Sequence, residues 1–401
     1  MIKSFIEART TILDSVSPLG TESVNLVHLV GRILAEEIPA PWDMPRWDNS
    51  EMDGFAVIAN DCQLFSRLKV TGYLPAGTSA GEVSVAPRTA ARIMTGAPIP
   101  AGCDAIVPIE NTKADEEFVV IQKLVQVDDY IRFCGSDIKK NQFMIPPGTA
   151  LRPVDINLLA SFSLPAVQVY RRPIVAILST GDELVAPGEV PADGQIIDGN
   201  SYSLAAAIRE IGAEPKILGI ARDNRNSLEE KIVQGLDADV LITSAGVSTG
   251  DRDLVREILE TAGVKQQFWK VAIKPGGPTA YGRIENKPVF SLPGNPVSSM
   301  IGFEELVRPA LVKMLGHSKV LRPLIRATVK TALYNETTKT RFLRVVVTKT
   351  TAGFSVESAG NQNTGILSTM IKANGIAILP PEQKEISAGG QVEIQLLSEI
   401  D

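Results

Sequence analysis

The stretch RRPIVAILSTGDEL (171–184) decides how the chain is read. Its apolar run is short and stops at Thr180-Gly181-Asp182-Glu183, as expected of a buried strand entering a glycine turn. The pattern repeats downstream. Ser201 to Ile211 reads as a helix with Gly212 after it, PKILGIARDN (215–224) as a second strand, and Ser227 to Leu236 as a second helix. DADVLITSAGVSTGD (237–251) is a third strand, and Asp251 opens a helix reaching Thr261. QFWKVAIKPGGPTAYG (267–282) and PVFSLPGNPVSS (288–299) carry further strands, the last leading into a helix over Ser299–Leu315. Strands alternating with helices of this length predict a parallel-type sheet with helices on both faces.

Working outward, Ile2–Val16 has the apolar spacing of an amphipathic helix, and a second periodic stretch covers Val24–Ile38. Pro39, Pro41 and Pro45 then forbid a regular helix and favour an extended strip, in which Trp42 and Trp47 read as residues packing at a domain junction. Gly54 to Phe133 is a β-rich insertion of short runs broken by Gly, Pro and Asp turns. Arg152–Leu164 returns to helical character, and from Arg322 onward alternating runs predict a small sandwich or barrel.

Composition narrows the function. The 401 residues are 44% hydrophobic and 21% charged, a globular balance. Forty basic against 46 acidic residues leave a net charge of −6, which disfavours wrapping nucleic acid along a basic face. Cys62, Cys103 and Cys134 form no CxxC pair and no disulfide framework, which points to a reducing compartment. Two histidines, His28 and His317, exclude a histidine-rich metal site. The longest uncharged stretch, Pro288–Phe303, is about 16 residues and interrupted by prolines, below the roughly 18 of a membrane span. The N-terminus lacks the apolar core of a signal peptide, so a cytoplasmic protein without membrane contact is expected.

Ligands of open parallel sheets sit beyond the carboxyl ends of the strands. Here those ends carry glycines and acids: Glu183 after the first strand, Asp223 after the second, and Gly246, Ser248, Gly250, Asp251 and Asp253 after the third. Glycine N–H groups and a following helix N-terminus favour an anion. Glu183, Asp223 and Asp253 are hard oxygen donors suited to magnesium bridging phosphates. Asp223 and Asp251 also suit helix caps, and both roles stay open. No Lys-Ser/Thr follows Gly250 and no GxGxxG occurs, which excludes a Walker loop and disfavours a dinucleotide fold. Lys270 and Lys274 lie four apart, so in one strand both would face the same anion or serve as edge lysines. Pro293, Gly294 and Ser298 form a rigid loop before a helix, another source of N–H and hydroxyl donors.

Seven motifs then stand in order: MDGFAV, RIMTGAPIP, GSDIKK, STGDEL, SAGVSTGDRD, KVAIKPGGP and LPGNPVS. Together they resemble the molybdopterin molybdenumtransferase family, which includes the E domain of gephyrin, over nearly the whole chain. The resemblance implies four domains: an elongated one (1–50 with 134–168), a β-rich insertion (51–133), an α/β molybdopterin-binding domain (169–318) and a C-terminal β-barrel (319–401). It implies a homodimer with each active site shared between subunits. It also implies a reaction in which molybdate is inserted into adenylylated molybdopterin, AMP leaves and Mg2+ assists, with a molybdopterin adenylyltransferase upstream. On matching motifs, Asp53, Thr95, Asp137 and Glu183 take the family's functional positions, and Arg344 its barrel arginine. Thr364 and Ser368 fall on its C-terminal hydroxyl positions. Three residues depart from the pattern: Gly277 stands where a lysine is usual, Gly365 where a histidine is, and Ala245 where a glycine is. A molybdopterin adenylyltransferase would need neither residues 1–170 nor the β-rich tail. A tungstate-specific paralogue and a non-catalytic molybdopterin-binding scaffold would share the same architecture, and the retained Asp53, Glu183, Asp223, Lys270 and Lys274 argue against the scaffold.

Overall fold

A computed structural model describes residues 2–79, 81, 83–245, 254–398 and 400. The chain divides into two compact units, one of Met1–Ala35, Pro147–Ile156 and Ala166–Asp401, the other of Glu36–Pro146 and Asn157–Pro165.

The larger unit holds a six-stranded sheet in the order Glu214–Ala221, Ile174–Thr180, Val240–Ser244, Lys287–Leu292, Ala280–Ile284, Lys265–Phe268. The first four strands are parallel, and the last two complete the edge antiparallel. Strands buried on both faces read as continuous apolar runs, which is what 174–178 shows. Val175, Ile177, Val240 and Ile242 pack on one face against helices Phe5–Ser15 and Asn200–Glu210 and the helical segment 296–314. Ala176, Leu178 and Leu241 pack on the other against helices Arg225–Leu236 and Leu254–Thr261. The first helix starts at a capping box, in which Glu7 N–H donates to Ser4 Oγ and Ser4 N–H to Glu7 Oε2.

The C-terminal strands close on themselves. Thr340–Thr350 pairs with Gly353–Ser358 and Gly375–Leu379, Gln391–Leu396 joins Gly375–Leu379 to Leu324–Val329, and Leu324–Val329 returns to Gly353–Ser358. A five-stranded ring leaves no free edge around a core that includes Val345, Val356 and Ile394. The barrel expectation is therefore met. The smaller unit carries a six-stranded sheet with Gly54–Val57 between Ala105–Pro108 and Thr89–Ile93. An added Cβ on Gly54 would lie 2.1 Å from the Val107 carbonyl oxygen, so only glycine fits there.

Three local expectations change. Val24–Ile38 is not one periodic element. It starts in the strand Thr21–Asn25, which pairs with Ala166–Tyr170, and then makes the single turn Leu26–His28. The 270–274 stretch is two short strands in different sheets, Lys270–Val271 beside Ile2–Lys3 and Ile273–Lys274 beside the barrel strand Thr340–Thr350. The same-strand argument for the two lysines therefore fails. The last helix of the α/β region starts at Pro296, not Ser299, and widens to a π turn over Phe303–Val307. Pro309 follows, with no N–H to give the Glu305 carbonyl.

Glu305 sits in that turn, 1% exposed, with Oε1 lacking a hydrogen-bond partner among the described residues. Burial, then the neighbouring Glu304, pushes its carboxyl up to about 8, against the pull of Arg9 and Arg308. A folded-state value above the unfolded one means the native state holds the extra proton between the two. The contribution of this group to stability is full below about pH 4.5 and is lost as pH rises to about 8. The slope approaches about 1.4 kcal/mol per pH unit. Glu305→Gln is expected to flatten that slope in urea titrations across the same window, and an unchanged slope would assign it to other groups.

Candidate functional site

The register of the parallel strands sets the geometry of the larger unit's site. Thr180 is level with Ala221, Ser179 with Ser244, and Ser244 with Leu292. Four carboxyl ends therefore stop together, and the loops that follow share one edge. Gly181 makes the first turn at φ 149°, and an added Cβ would lie 2.6 Å from Glu183 Oε2. The glycine is what lets Glu183 fold back over the strand end. Asp223 donates its N–H to Asp182 Oδ1. Burial, then the charges of Asp182 and Glu183, raises its carboxyl above the ordinary range. Arg222 does not relieve this crowding fully, because its Nη1 is spent on the carbonyls of Gly181, Asp182 and Leu184.

A cavity of about 210 Å³ opens between these ends, lined by Ser179, Glu183, Asp198, Asn200, Ser244 and Gly294. Asp198, 4% exposed, accepts from Ser179 Oγ at 3.0 Å and from Ser201 N–H at 3.1 Å. Asn200 Nδ2 donates to Ser244 Oγ at 2.9 Å and to the Gly294 carbonyl at 2.8 Å. Its Oδ1 is buried with no partner among the described residues. These side chains tie the first, third and fourth strand ends together, and the motif reading passed over them. The signal was present in IIDGNS (196–201), where an acid and an amide flank a glycine just before a helix. Pro293 is buried, Gly294 exposed and Ser298 7% exposed at the start of the helix that Asn295 caps. Ala245 sits at φ 76°, a left-handed position, which is why glycine suits this turn better than alanine. Gly246, Ser248, Gly250, Asp251 and Asp253 lie outside the described residues.

Cations from two segments flank the adjoining loop. Gly276 has φ 92°, and a Cβ there would meet the Ser298 carbonyl oxygen at 3.3 Å, so the Pro275–Pro278 turn lies on the first turn of the helix that begins at Pro296. Lys274 pairs in register with Arg341 across two parallel strands. A Cβ on Gly277 would meet the Ile273 carbonyl oxygen at 3.1 Å and Lys339 Nζ at 3.7 Å. The ammonium near position 277 thus comes from Lys339, which the sequence reading missed, as it did Arg341. Arg344, only 1% exposed, faces no carboxylate: Nε donates to Gln362 Oε1, and Nη2 to the carbonyls of Asn361 and Asn363. Its Nη1 is buried without a partner among the described residues, and burial lowers its pKa. Thr364 follows Asn363 directly, and Ser368 opens the short helix Ser368–Lys372.

In the smaller unit the register Gly54↔Ile93 brings Asp53 beside Thr95. Thr95 N–H and Oγ1 both donate to Asp53 Oδ1, at 2.8 and 2.9 Å, and they hold its carboxyl below the ordinary range. Asp137 is exposed on the wall of a second, more open cavity.

This is a multidomain protein with an α/β ligand-binding domain and a closed β-barrel, and comparison with known proteins gives the class a family. Residues 3–163 match the MoeA N-terminal region (domain I and II), 176–313 a probable molybdopterin binding domain, and 326–397 the MoeA C-terminal region (domain IV). The chain is 36% identical to the molybdopterin molybdenumtransferase of Haemophilus influenzae over 394 residues, covering 97% of each. It is 34% identical to that of a Nostoc species, covering 93% of this chain and 88% of the relative. A molybdopterin biosynthesis MoeA protein of Pyrococcus horikoshii superposes with a TM-score of 0.86 at 31% identity over the full length of both chains. The chain belongs to the molybdopterin molybdenumtransferase family, and is a transferase of molybdenum cofactor biosynthesis.

Asn200→Ala removes the tie between the third and fourth strand ends and leaves the Gly294 carbonyl without its donor. It is expected to lower unfolding free energy by about 1–3 kcal/mol in urea titrations. No change would mean that the cleft is held by the backbone alone.

Proposed function

We propose that this chain inserts molybdate into adenylylated molybdopterin and releases AMP. The observation that carries this reading is the set of cations around Pro275–Pro278: Lys270, Lys274, Lys339 and Arg341, with Arg344 buried on the barrel. Among the described residues none of the five has an ion-pair partner. Cations held together without carboxylates repel one another, and a dianion offsets that repulsion. A tetrahedral oxyanion needs such a set, supplemented by donors such as the Ser298, Thr364 and Ser368 hydroxyls. The dithiolene of the substrate supplies the sulfur ligands, so the three scattered cysteines need play no part.

The cleft at the strand ends suits the phosphate end of the substrate. The carboxylates that follow the strand ends are assigned to Mg2+, with Glu183 and Asp223 as ligands and Asp253, outside the described residues, as the third. The described residues form no group of three metal-ligating side chains, so the fit rests on two acids. The carboxyl of Asp223 is raised by burial and then by the charges of Asp182 and Glu183, and a divalent cation would offset both. When bound, Mg2+ neutralises charge on the phosphates as AMP leaves. Asp53, Thr95 and Asp137 are assigned to the same reaction, contributed by the second subunit of a homodimer. The four-domain division by sequence, a cytoplasmic location and an upstream molybdopterin adenylyltransferase complete the reading. No helix of the described residues is long and apolar enough to cross a membrane.

The test is AMP release from adenylylated molybdopterin with magnesium. Release that requires molybdate, with active cofactor formed, is the expected result; tight substrate binding without release under molybdate or tungstate would overturn it. Lys274→Ala is expected to raise KM for molybdate about tenfold, the equivalent of one charge-assisted contact, and Lys339→Ala to raise it less because its ammonium is exposed. Glu183→Gln is expected to lower kcat and increase the magnesium requirement. Full activity in that variant would reduce Glu183 to a turn residue. Dilution to monomer is expected to abolish turnover.

A further inference from the structure

The open cavity of the smaller unit, about 760 Å³, has a wall that the proposed chemistry does not yet use. Trp42 and Trp47 both line it. Trp42 packs against Phe162 at a ring distance of 5.9 Å, as a structural residue would. Trp47 does not behave that way: it is 49% exposed. The Arg46 guanidinium lies 4.9 Å from the Trp42 ring centre and 5.9 Å from that of Trp47, which braces the two indoles. The packing role read for both tryptophans therefore holds for one of them.

Beside the exposed indole is an acceptor with nothing to accept. Asn49 lines the same cavity and is 5% exposed. Its Nδ2 donates to the Trp47 carbonyl at 3.1 Å, which fixes the amide orientation. Its Oδ1 is buried with no partner among the described residues. Leaving such an acceptor unpaired is unfavourable, and a ligand amine would satisfy it. Arg132, the register partner of Asn49, also lines the cavity. Its only ion pair among those described is a 4.0 Å contact with Glu51, between two half-exposed side chains, so it is free to meet a phosphate.

We propose that this cavity binds an amino-substituted, fused heteroaromatic ring that carries a phosphate. The ring stacks on Trp47, its exocyclic amine donates to Asn49 Oδ1, and its phosphate meets Arg132. This deepens the transferase reading and rests on it for the identity of the ligand. Adenylylated molybdopterin has two such ends, the adenine of its AMP and the pterin, and the chemistry described is common to both. Asp137 lines the same cavity, so the docked end lies beside one of the acids assigned to the reaction.

The experiment uses the full chain and two probes, AMP and a hydroxymethylpterin phosphate, titrated by calorimetry and tryptophan fluorescence. Two of the three tryptophans line the cavity, so quenching reports on it, with Trp269→Phe as background. At least one probe is expected to bind and quench. Trp47→Ala is expected to weaken it about tenfold or more, as loss of base stacking does, while Trp47→Phe retains most of the affinity. If adenine is the docked end, IMP, with a carbonyl in place of the amine, binds at least about fivefold more weakly than AMP, and Asn49→Ala abolishes that preference. Circular dichroism of each variant separates loss of binding from loss of fold. Neither probe binding at millimolar concentration, or both binding Trp47→Ala as tightly as the parent, would overturn the proposal. The two readings fail separately. Molybdate-dependent AMP release with KM unchanged in Trp47→Ala defeats this site and leaves the transferase standing. Probe binding lost in Trp47→Ala, without any turnover in the parent, does the reverse.

Discussion

The larger unit depends on four parallel strands that end level with one another. A parallel sheet buried on both faces has its backbone groups paired along the strands and unpaired just beyond them. When the ends coincide, every following loop offers its unpaired groups to the same space. Ser179, Ser244 and Leu292 are in register, and Thr180 is level with Ala221. Any side chain that departs from these turns therefore reaches the others, provided the turns are tight enough. Gly181 provides the first such turn, and Asn200 holds the third and fourth ends at a fixed separation by donating to Ser244 Oγ and the Gly294 carbonyl.

The cation set obeys a different constraint. Like charges come together only where the backbone gives them no choice, and here two chain segments impose the approach. The pairing of Ile273–Lys274 with Thr340–Arg341 puts Lys274 beside Arg341 whatever their charges. A side chain at position 277 would press on the Ile273 carbonyl and lie beside the Lys339 ammonium. The ammonium beside position 277 comes from Lys339, which immediately precedes the barrel strand Thr340–Thr350. Arg344 adds a charge whose burial is compensated by three carbonyl-type oxygens rather than by an acid.

The alternation of buried strands and helices was legible from residue 171 onward, because apolar runs bounded by glycine leave little choice of element. The acids at the strand ends were legible for the same reason. Asp198 was not, since an aspartate ahead of a helix looks like a cap until Ser179 is seen to share it. Lys339 was not, since its role depends on a loop more than sixty residues earlier in the chain. The lysine pair was misread because Lys270 and Lys274 were taken as one strand, whereas the chain leaves one sheet at Val271 and joins another at Ile273. Periodicity carries no information about which neighbour a two-residue strand selects. Trp47 was misread through composition: an indole between prolines suggests packing, and only its exposure beside an unpaired amide says otherwise.

Burial divides the polar residues of these sites into two kinds. Ser179, Asp198, Asn200, Ser201 and Ser244 are each under 9% exposed and bond chiefly to one another. In a low-dielectric setting those bonds are strong and leave one arrangement accessible, so these residues define positions. Asp53, Thr95, Asp137 and Glu183 are exposed and make few bonds. Exposed carboxylates keep lone pairs for a substrate, a metal or a proton, but lack the packing that would fix them. Asp53 is fixed instead by the Thr95 bonds, and the Gly181 turn leaves room for the Glu183 carboxylate. Asp223 lies between the two kinds, partly desolvated and crowded by Asp182 and Glu183. Its carboxyl is raised first by burial and then by the neighbouring charges of Asp182 and Glu183. A site built this way is rigid where it must be shaped and electrostatically incomplete where it must bind.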